Sequence, residues 1–418
     1  MKEQVFKDVF LAPALVAYKK SKTKRESKII SDIDFLEMGI KRVISYYASG
    51  RNFIQVMIDK FNFQTLTVDN FFKSLSSKRR LKLIKEINEN IISDYIPIED
   101  NNPFKGKSEL DGYALYAADG HFHEHASHEK HANGKNYPVG HIYATNLRTR
   151  TVQHLDVLRP KDKRENETHA LKRLGSKVLR MGEPIGRKVI MVYDRAGIDF
   201  QEWWKWKQSR GLYVLTREKS NMALMILGNL DFDKNDPVNA NIISDQQVGH
   251  SYGTMIRRIT YRDPISDNIY KFITNAMDLP PGLIAYIYKV RWDIEKTFQQ
   301  FKSNYKEKKA WAKSFEAKSV QANFLCIVYN LMLIIEDKVE TEEGIVDQKI
   351  IQKQKKRILE NMEILKDKNL TINPMILSLK KSVMRSCQFI RLIEIVFDDF
   401  TSWSTFIVKL RPRMEAYL

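Results

Sequence analysis

Cysteine is nearly absent from this chain: of its 418 residues, only Cys326 and Cys387 are cysteines. Two cysteines cannot form a disulfide scaffold or a cysteine-rich zinc module, and such sparing use favours a reducing compartment. The 17 glycines and 12 prolines are too few for a collagen-like or linker-dominated chain. With 43% hydrophobic and 29% charged residues the chain is predicted to be globular, and its length suggests about two to four domains.

A long apolar segment is also missing. The longest apolar run, from Phe324 to Ile335, contains Asn330 and is shorter than the roughly 18 residues that a membrane span needs. The first residues, Met-Lys-Glu-Gln-Val-Phe, lack the apolar stretch of a signal peptide. We therefore expect a soluble cytoplasmic protein without a membrane partner.

Acidic residues are outnumbered by basic ones. The chain has 69 lysines and arginines against 51 aspartates and glutamates, which gives a formal net charge of +18. The excess is spread along the whole chain rather than collected in a tail. A basic surface of this kind favours a long polyanion as partner, nucleic acid above all, although a merely basic soluble protein has the same composition.

The order of elements predicts an α/β domain between two helical regions. Residues 1–105 are predicted to be mostly helical, and residues 336–418 are predicted to form a helical C-terminal region. Between them, 106–335 alternate apolar strands with helices, which is typical of helices packed on a sheet. Within that domain, turn residues between short apolar runs predict a β-rich insertion over about 219–280. We expect strands over 112–119, 141–147, 151–155, 187–193 and 213–216, and helices over 165–181, 199–210, about 283–310 and 317–339.

The predicted helix from 283 to about 310 carries a polar stripe. This polar stripe consists of Tyr288, Arg291, Glu295 and Lys302. At about 100° per residue, these four residues fall within a sector of about 60°. An apolar stripe that includes Ile294 and Phe298 lies beside them. A carboxylate suits a divalent cation, whereas two cations and a phenol suit phosphates. An ordinary amphipathic helix with charge pairs at its edge gives the same pattern.

Two aspartates follow predicted strands. Asp119 precedes Gly120, and Asp194 follows the apolar strand that ends at Tyr193. Strand ends in α/β sheets are where ligands bind, and two such aspartates with Glu295 would supply hard oxygen ligands for two Mg²⁺ ions. Either aspartate alone is more often a turn or cap residue. All three on a basic protein favour metal-dependent phosphodiester chemistry.

These residues resemble those of a known family. Tyr288-x2-Arg291-x3-Glu295-x6-Lys302 matches the Y-R-E-K signature of the insertion-sequence-four family of bacterial DDE transposases. The segment from Asp194 to Asp199, Asp-Arg-Ala-Gly-Ile-Asp, resembles that family's second aspartate motif, and Asp119-Gly its first. The resemblance covers about residues 110–335, with the elements in the family's order and a β-rich insertion before the glutamate.

The resemblance implies a ribonuclease-H-like core that cuts transposon ends by hydrolysis and joins them to target DNA. It implies that Asp119, Asp194 and Glu295 bind two Mg²⁺ ions, with Mn²⁺ as a substitute. Phosphate contacts near the transposon end would come from Tyr288, Arg291 and Lys302.

Beside that stripe, Trp292 is an aromatic candidate for DNA contact, and helix packing is its equal alternative. The expected partners are double-stranded DNA, both terminal inverted repeats and target, and a second copy of the chain. Two protomers would pair two ends, with 1–105 binding the ends and 336–418 contributing to dimerisation or DNA contact, in the bacterial cytoplasm with the nucleoid.

Two other functions remain open. One is a different two-metal DNA nuclease on the same core, and the other is an inactive DNA-binding protein derived from a transposase. A nucleophile motif such as Gly-x-Ser-x-Gly and a glycine-rich phosphate loop are both absent from the sequence.

Histidines are concentrated after Asp119. Eight of the nine lie between 121 and 169, and His121, His123 and His125 alternate, so a strand would direct them to one face. With His128 and Glu129 nearby, three interpretations are open. We expect a polar hairpin facing solvent, ahead of a DNA backbone contact or a transition-metal site.

Overall fold

The structure is a computed structural model with a nine-stranded mixed sheet and helices on both faces. It describes residues 5–27, 29–45, 47, 49–61, 66–126, 138–159, 165–195, 198–249, 255–305, 307, 309–370, 373, 385, 387–396 and 401–416. The strands are β1 Tyr113–His123, β2 Val139–Asn146, β3 Val152–Val157, β4 Lys188–Val192, β5 Leu212–Arg217, β6 Met225–Asn229, β7 Ile242–Gly249, β8 Met255–Arg262 and β9 Ile269–Thr274.

The helices lie before, between and after these strands. Five precede the sheet: α1 Ala12–Lys20, α2 Asp32–Ile44, α3 Gly50–Phe61, α4 Val68–Leu75 and α5 Lys78–Asp94. Four lie between β3 and the long helix α10: α6 Glu167–Leu179, α7 Phe200–Arg210, α8 Pro281–Val290 and α9 Trp292–Ser303. The remainder are α10 Phe315–Glu343, α11 Gln348–Asp367, α12 Cys387–Val396 and α13 Trp403–Glu415.

The sheet is parallel at its centre and antiparallel at both sides. Its strand order is β3-β2-β1-β4-β5-β9-β8-β7-β6, with β1, β4 and β5 parallel. The central strands are almost wholly buried, as their continuous apolar sequences predict. Strands β6 to β9 lie within the range of the expected β-rich insertion, and β9 returns to pair with β5, so these strands extend the same sheet. An α/β architecture is thereby confirmed.

One hydrophobic core joins the helical regions to the sheet. It covers one sheet face and contains residues from Val5 to Met414, whereas a second cluster lies under α6 and α7 on the opposite face. Helix α10 runs through the first core and contacts α2, α5 and β3. By length and composition α10 could cross a membrane, but 89% of its most apolar window is buried inside the protein. It is the central core helix of this fold.

Helix ends follow the capping chemistry of the sequence. Side chains of Ser31, Thr67 and Asn166 accept hydrogen bonds from the first turns of α2, α4 and α6, and Gly211 ends α7 with a φ of 58°. After a turn that follows α4, the Ser77 side chain accepts from Arg80 N–H and caps α5.

The predicted helix over 283–310 is wrong in two respects. It divides at Arg291 into α8 and α9, and it ends at Ser303. At the junction the backbone tightens, because Arg291 N–H points to the oxygens of both Ile287 and Tyr288, and Ile294 N–H donates to Arg291 O over 3.0 Å. The apolar stripe holds: Ile294 and Phe301 are fully buried.

Asn330 has a structural role that explains a polar residue in the apolar α10. Its side-chain oxygen accepts from Val152 N–H at 2.9 Å, and its amide donates to Asn88 Oδ1 at 2.9 Å. The side chain thus joins α5 and α10 to the outer side of edge strand β3, with which no described strand pairs.

We therefore expect Asn330→Leu to destabilise the protein, although leucine is the more apolar residue. It leaves the Val152 N–H and Asn88 Oδ1 buried without partners, at a cost of about 2 to 4 kcal/mol. Urea unfolding followed by circular dichroism measures the change. The control is Met332→Leu, a volume-conserving change at a neighbouring buried site. Equal unfolding midpoints for the two variants would show that this network contributes nothing.

Candidate active site

Asp119 and Asp194 meet beside the carboxyl ends of the central parallel strands. Strands β1 and β4 are paired in register up to Ala117 and Val192, so each aspartate follows that pair by two residues. Both aspartates line the same narrow cavity of about 10 Å³. The sequence predicts that this strand ends at Asp119. Strand β1 instead continues to His123 by pairing with β2.

Arg291 connects the first aspartate to the helix glutamate. Its Nη1 lies 3.6 Å from Asp119 Oδ2, and its Nη2 donates to Glu295 Oε1 at 2.8 Å. The Arg291 side chain is only 3% exposed, compared with 35% for Glu295. The guanidinium is therefore buried beside Asp119, at the residue where the helix divides. This one cation is shared between the carboxylates of Asp119 and Glu295.

Tyr288 connects the second aspartate to the same helix pair. Its hydroxyl donates to Asp194 Oδ1 at 3.2 Å, and its ring faces the Arg291 guanidinium at 5.3 Å. Burial raises the pKa of the Tyr288 hydroxyl to about 12, so the phenol remains a donor. The three carboxylates therefore lie on one side of the sheet, held by Tyr288 and Arg291.

Asp119 is in an unfavourable environment for a carboxylate. Burial, with the neighbouring Glu167 and Glu295 charges, raises the pKa of Asp119 to about 7, although Gly120 N–H and Arg291 act in the opposite direction. The Gly120 N–H donates to Asp119 Oδ1 at 2.8 Å. A positive charge placed beside Asp119 would relieve this excess of negative potential.

Glu167 belongs to this site and is not among the residues predicted from the sequence. It lies in the first turn of α6 and lines the same cavity as both aspartates. A Cβ atom on Gly120 would come within 2.2 Å of Glu167 Oε1, so the glycine makes room for this carboxylate. The sequence signal was weak, because an acidic residue in a first helical turn is usual for dipole reasons alone.

Lys302 and Trp292 lie at the edge of the site. Lys302 is exposed on the last turn of α9 and makes no ion pair within the described ranges. Trp292 is 53% exposed, and its ring lies 5.6 Å from the Arg291 guanidinium. Tyr288 and Arg291, by contrast, are buried. The four residues of the polar stripe thus divide into a buried pair, a half-exposed carboxylate and an exposed lysine.

The histidine region differs from the expectation. His121 and His123 are buried, so a solvent-facing hairpin is wrong for them, whereas His128 and Glu129 lie outside the described residues. His121 Nε2 contacts Glu307 Oε2 at 2.7 Å and its ring stacks on Phe298 at 4.8 Å. These contacts attach β1 to α9 and to the segment that follows it.

The chain of imidazoles continues into the core. His123 Nε2 lies 2.9 Å from His141 Nε2, and His141 Nδ1 lies 3.1 Å from His154 Nε2. Burial lowers the pKa of His141 and that of His154 well below the ordinary value, so both are neutral. Among the described residues no group of three histidine, cysteine or acidic side chains is arranged to hold a metal ion.

The carboxylates nevertheless have the chemistry that a Mg²⁺ ion requires. All the candidate donors are oxygens, and the raised pKa of Asp119 reports negative charge that is incompletely balanced. The cavity between the aspartates has room for about one water-sized species. Asp119, Asp194 and Glu295 fit a cation by their donor chemistry, provided that Arg291 gives way between Asp119 and Glu295.

Comparison with protein families agrees with this geometry. The family model described as "Transposase DDE domain" matches residues 111–331, which contain all three carboxylates and the paired helices α8 and α9. No curated protein matches the chain. The match covers more than half of the 418 residues, and it confirms the expected resemblance to DDE transposases. The chain belongs to the family of proteins with a transposase DDE domain.

Proposed function

We propose that this protein is a transposase that cuts the ends of a mobile DNA element by metal-dependent hydrolysis and joins them to target DNA. The observation that carries the proposal is the meeting of Asp119 and Asp194 beside the ends of β1 and β4, with Glu295 tied to Asp119 through Arg291. Within this family, the finer assignment that we propose is the insertion-sequence-four group, with its Y-R-E-K signature at Tyr288, Arg291, Glu295 and Lys302.

Asp119, Asp194 and Glu295 are proposed to hold two Mg²⁺ ions, with Mn²⁺ as a substitute. When bound, such ions activate the attacking oxygen and stabilise the leaving one in phosphodiester chemistry. The protein's own contribution is to fix the carboxylates. Gly120 N–H orients Asp119 and Tyr288 orients Asp194, so that both oxygens are in place before DNA arrives.

Arg291 and Tyr288 are proposed to contact phosphate as well as the carboxylates. Arg291 Nε and Nη1 are buried and have no hydrogen-bond partner among the described residues, so two donors of its planar fork are available. A fork of this kind suits a phosphate in bidentate geometry. DNA would then lie along α9, from Arg291 past the exposed Trp292 towards Lys302.

Other parts of the proposal concern the rest of the chain. The core is proposed to be ribonuclease-H-like over 106–335, with 1–105 binding transposon ends and 336–418 contributing to dimerisation or DNA contact. Two protomers would pair two ends, and the protein would work on DNA in the bacterial cytoplasm. Light scattering with and without end DNA tests the pairing, since we expect two copies of the chain only in the DNA-bound particle.

The function itself is tested with duplexes taken from the DNA on either side of the gene. We expect Mg²⁺-dependent nicks at the outer ends of short inverted repeats, followed by joined products with a second duplex. Nicks without joining would indicate a two-metal nuclease instead. Binding without nicks in either Mg²⁺ or Mn²⁺ would indicate an inactive descendant of a transposase.

We expect Lys302→Ala to weaken binding of end DNA without abolishing nicking. An exposed lysine that touches one phosphate contributes about 0.9 to the slope of the binding constant against salt, on logarithmic axes. Binding measured over a salt series should therefore lose about that much slope. The matched control is Lys177→Ala near the end of α6, another exposed lysine. An unchanged slope for Lys302→Ala would remove Lys302 from the DNA path.

A further inference from the structure

A large cavity lies between the N-terminal helices and the segment that follows α9. Its volume is about 1290 Å³, and its walls come from α2 to α4 on one side and from residues 305–325 on the other. This exceeds the roughly 300–1,000 Å³ of ordinary small-molecule sites. Its size therefore favours a stretch of polymer over a single metabolite.

Aromatic side chains and cations share the cavity walls. Tyr47, Phe72 and Trp311 line it, together with Arg42, Arg51, Lys309 and Lys313. Trp311 is fixed from behind: its backbone N–H donates to Gln321 Oε1 at 2.7 Å, and its ring lies 6.1 Å from that of Phe324. A partly exposed, anchored indole is a surface on which a planar base can stack.

The charge of the cavity is positive. Burial lowers the pKa of Arg42 to about 10, which still leaves it protonated near neutral pH, and its guanidinium lies 6.0 Å from the Trp311 ring. Arg51 and Lys313 are exposed and form no ion pair within the described part of the chain. The two acidic wall residues are engaged elsewhere, Asp69 with Lys73 and Glu307 with His121. Phosphates would therefore be attracted and not repelled.

The cavity is close to the candidate catalytic centre. Glu307 on its wall hydrogen-bonds to His121, which follows Asp119 on β1 by two residues, or about 7 Å along the strand. Duplex DNA has its bases paired and stacked, so only an unpaired segment offers free base faces to Trp311. A strand separated beside a cut phosphate is such a segment.

We propose that this cavity binds a short single-stranded stretch of DNA, with a base stacked on Trp311 and phosphates held by Arg51 and Lys313. The inference rests on the proposed function only in taking DNA as the partner. It adds a binding site for unpaired nucleotides that lies outside the carboxylate centre and outside the polar stripe on α9.

The test measures binding of a dye-labelled short oligothymidylate by fluorescence anisotropy in EDTA, so that catalysis plays no part. We expect Trp311→Ala to weaken binding about tenfold, as removal of a stacking platform does. Trp311→Phe, which keeps an aromatic face, should recover most of the affinity. Trp204→Ala is the matched control, because Trp204 is an exposed indole on α7 and not part of the cavity.

Charge gives an independent readout that does not depend on Trp311. Lys313→Ala should lower the salt slope of oligothymidylate binding by about 0.7, whereas Lys177→Ala, at an exposed lysine on α6, should leave it unchanged. Thermal unfolding of each variant is recorded alongside. If Trp311→Ala loses folding, Lys313→Ala and Trp311→Phe still decide the matter.

Two results would overturn the proposal. The first is wild-type affinity for oligothymidylate in both Trp311→Ala and Lys313→Ala. The second is equal affinity of the protein for oligothymidylate and thymidine monophosphate, which would indicate a mononucleotide site. Failure of the proposed function would look different. A protein that never nicks end DNA but loses oligothymidylate binding on Trp311→Ala keeps this site and loses the transposase activity.

Discussion

Replacing Glu295 with glutamine is expected to lower Mg²⁺-dependent nicking of end DNA by at least about a thousandfold, in line with the loss of a group that acts on transition-state charge. Glutamine has the same shape, and its amide oxygen still accepts the hydrogen bond that Arg291 donates at 2.8 Å. Only the negative charge is lost. Because the side chain is 35% exposed, unfolding should change little.

DNA binding separates this effect from a general defect. Glu295→Gln removes one negative charge that faces the phosphates, so binding of end DNA in EDTA should be unchanged or slightly tighter. Glu109→Gln, at an exposed glutamate before β1, is the matched control and should nick normally. Nicking at the wild-type rate by Glu295→Gln would mean that α9 does not carry a catalytic carboxylate.

Asp119→Asn is expected to abolish nicking and at the same time to stabilise the metal-free protein at about pH 8. In the folded protein the pKa of Asp119 is raised to about 7, from an ordinary value of 3.8. A carboxyl with a raised pKa favours folding when protonated, and that contribution is lost as the pH rises from about 4 through 7. Above pH 7 the penalty reaches up to about 4 kcal/mol.

Asparagine is neutral at every pH and still accepts from the Gly120 N–H. The stability gain of Asp119→Asn should therefore be largest near pH 8 and vanish near pH 4, as measured by urea unfolding in EDTA. Asp111→Asn, which changes an exposed aspartate outside this cavity, is the matched control. Added Mg²⁺ should raise the unfolding midpoint of the wild-type protein at pH 8, because it binds only the folded site. It should not raise the midpoint of Asp119→Asn. A change in unfolding free energy on Asp119→Asn that is the same at every pH would contradict the raised pKa of Asp119.

The elements around the candidate site were predictable from local pattern. The apolar run 187–193 predicted a buried strand, and Gly211 could end α7 because glycine accepts a positive φ without strain. The spacing of the polar stripe brought Glu295 to the same side as the strand-end aspartates. Sequence order does not specify strand order, so the pairing of β9 with β5 was not predictable.

Contacts between distant side chains could not be predicted in the same way. Nothing in the residues around Arg291 breaks a helix, and the junction there coincides with contacts to Asp119, which is remote in sequence. Alternation placed His121 and His123 on one face of β1 but did not tell which face. Helix α9 covers that face, so histidines expected in solvent lie in the core. The place of Glu167 in the site follows only from the packing of α6 against Gly120, which the sequence does not indicate.

The position of β6 at the outer end of the sheet has a practical consequence for handling the protein. Met225, Ile226 and Leu227 on β6 are each more than half exposed, and no described strand pairs with the outer side of β6. An open edge with apolar side chains is a template for sheet-to-sheet association between molecules. In a concentrated stock, self-association through this edge would compete with DNA binding. A lysine substituted on β6 would prevent this association, whereas added salt would not.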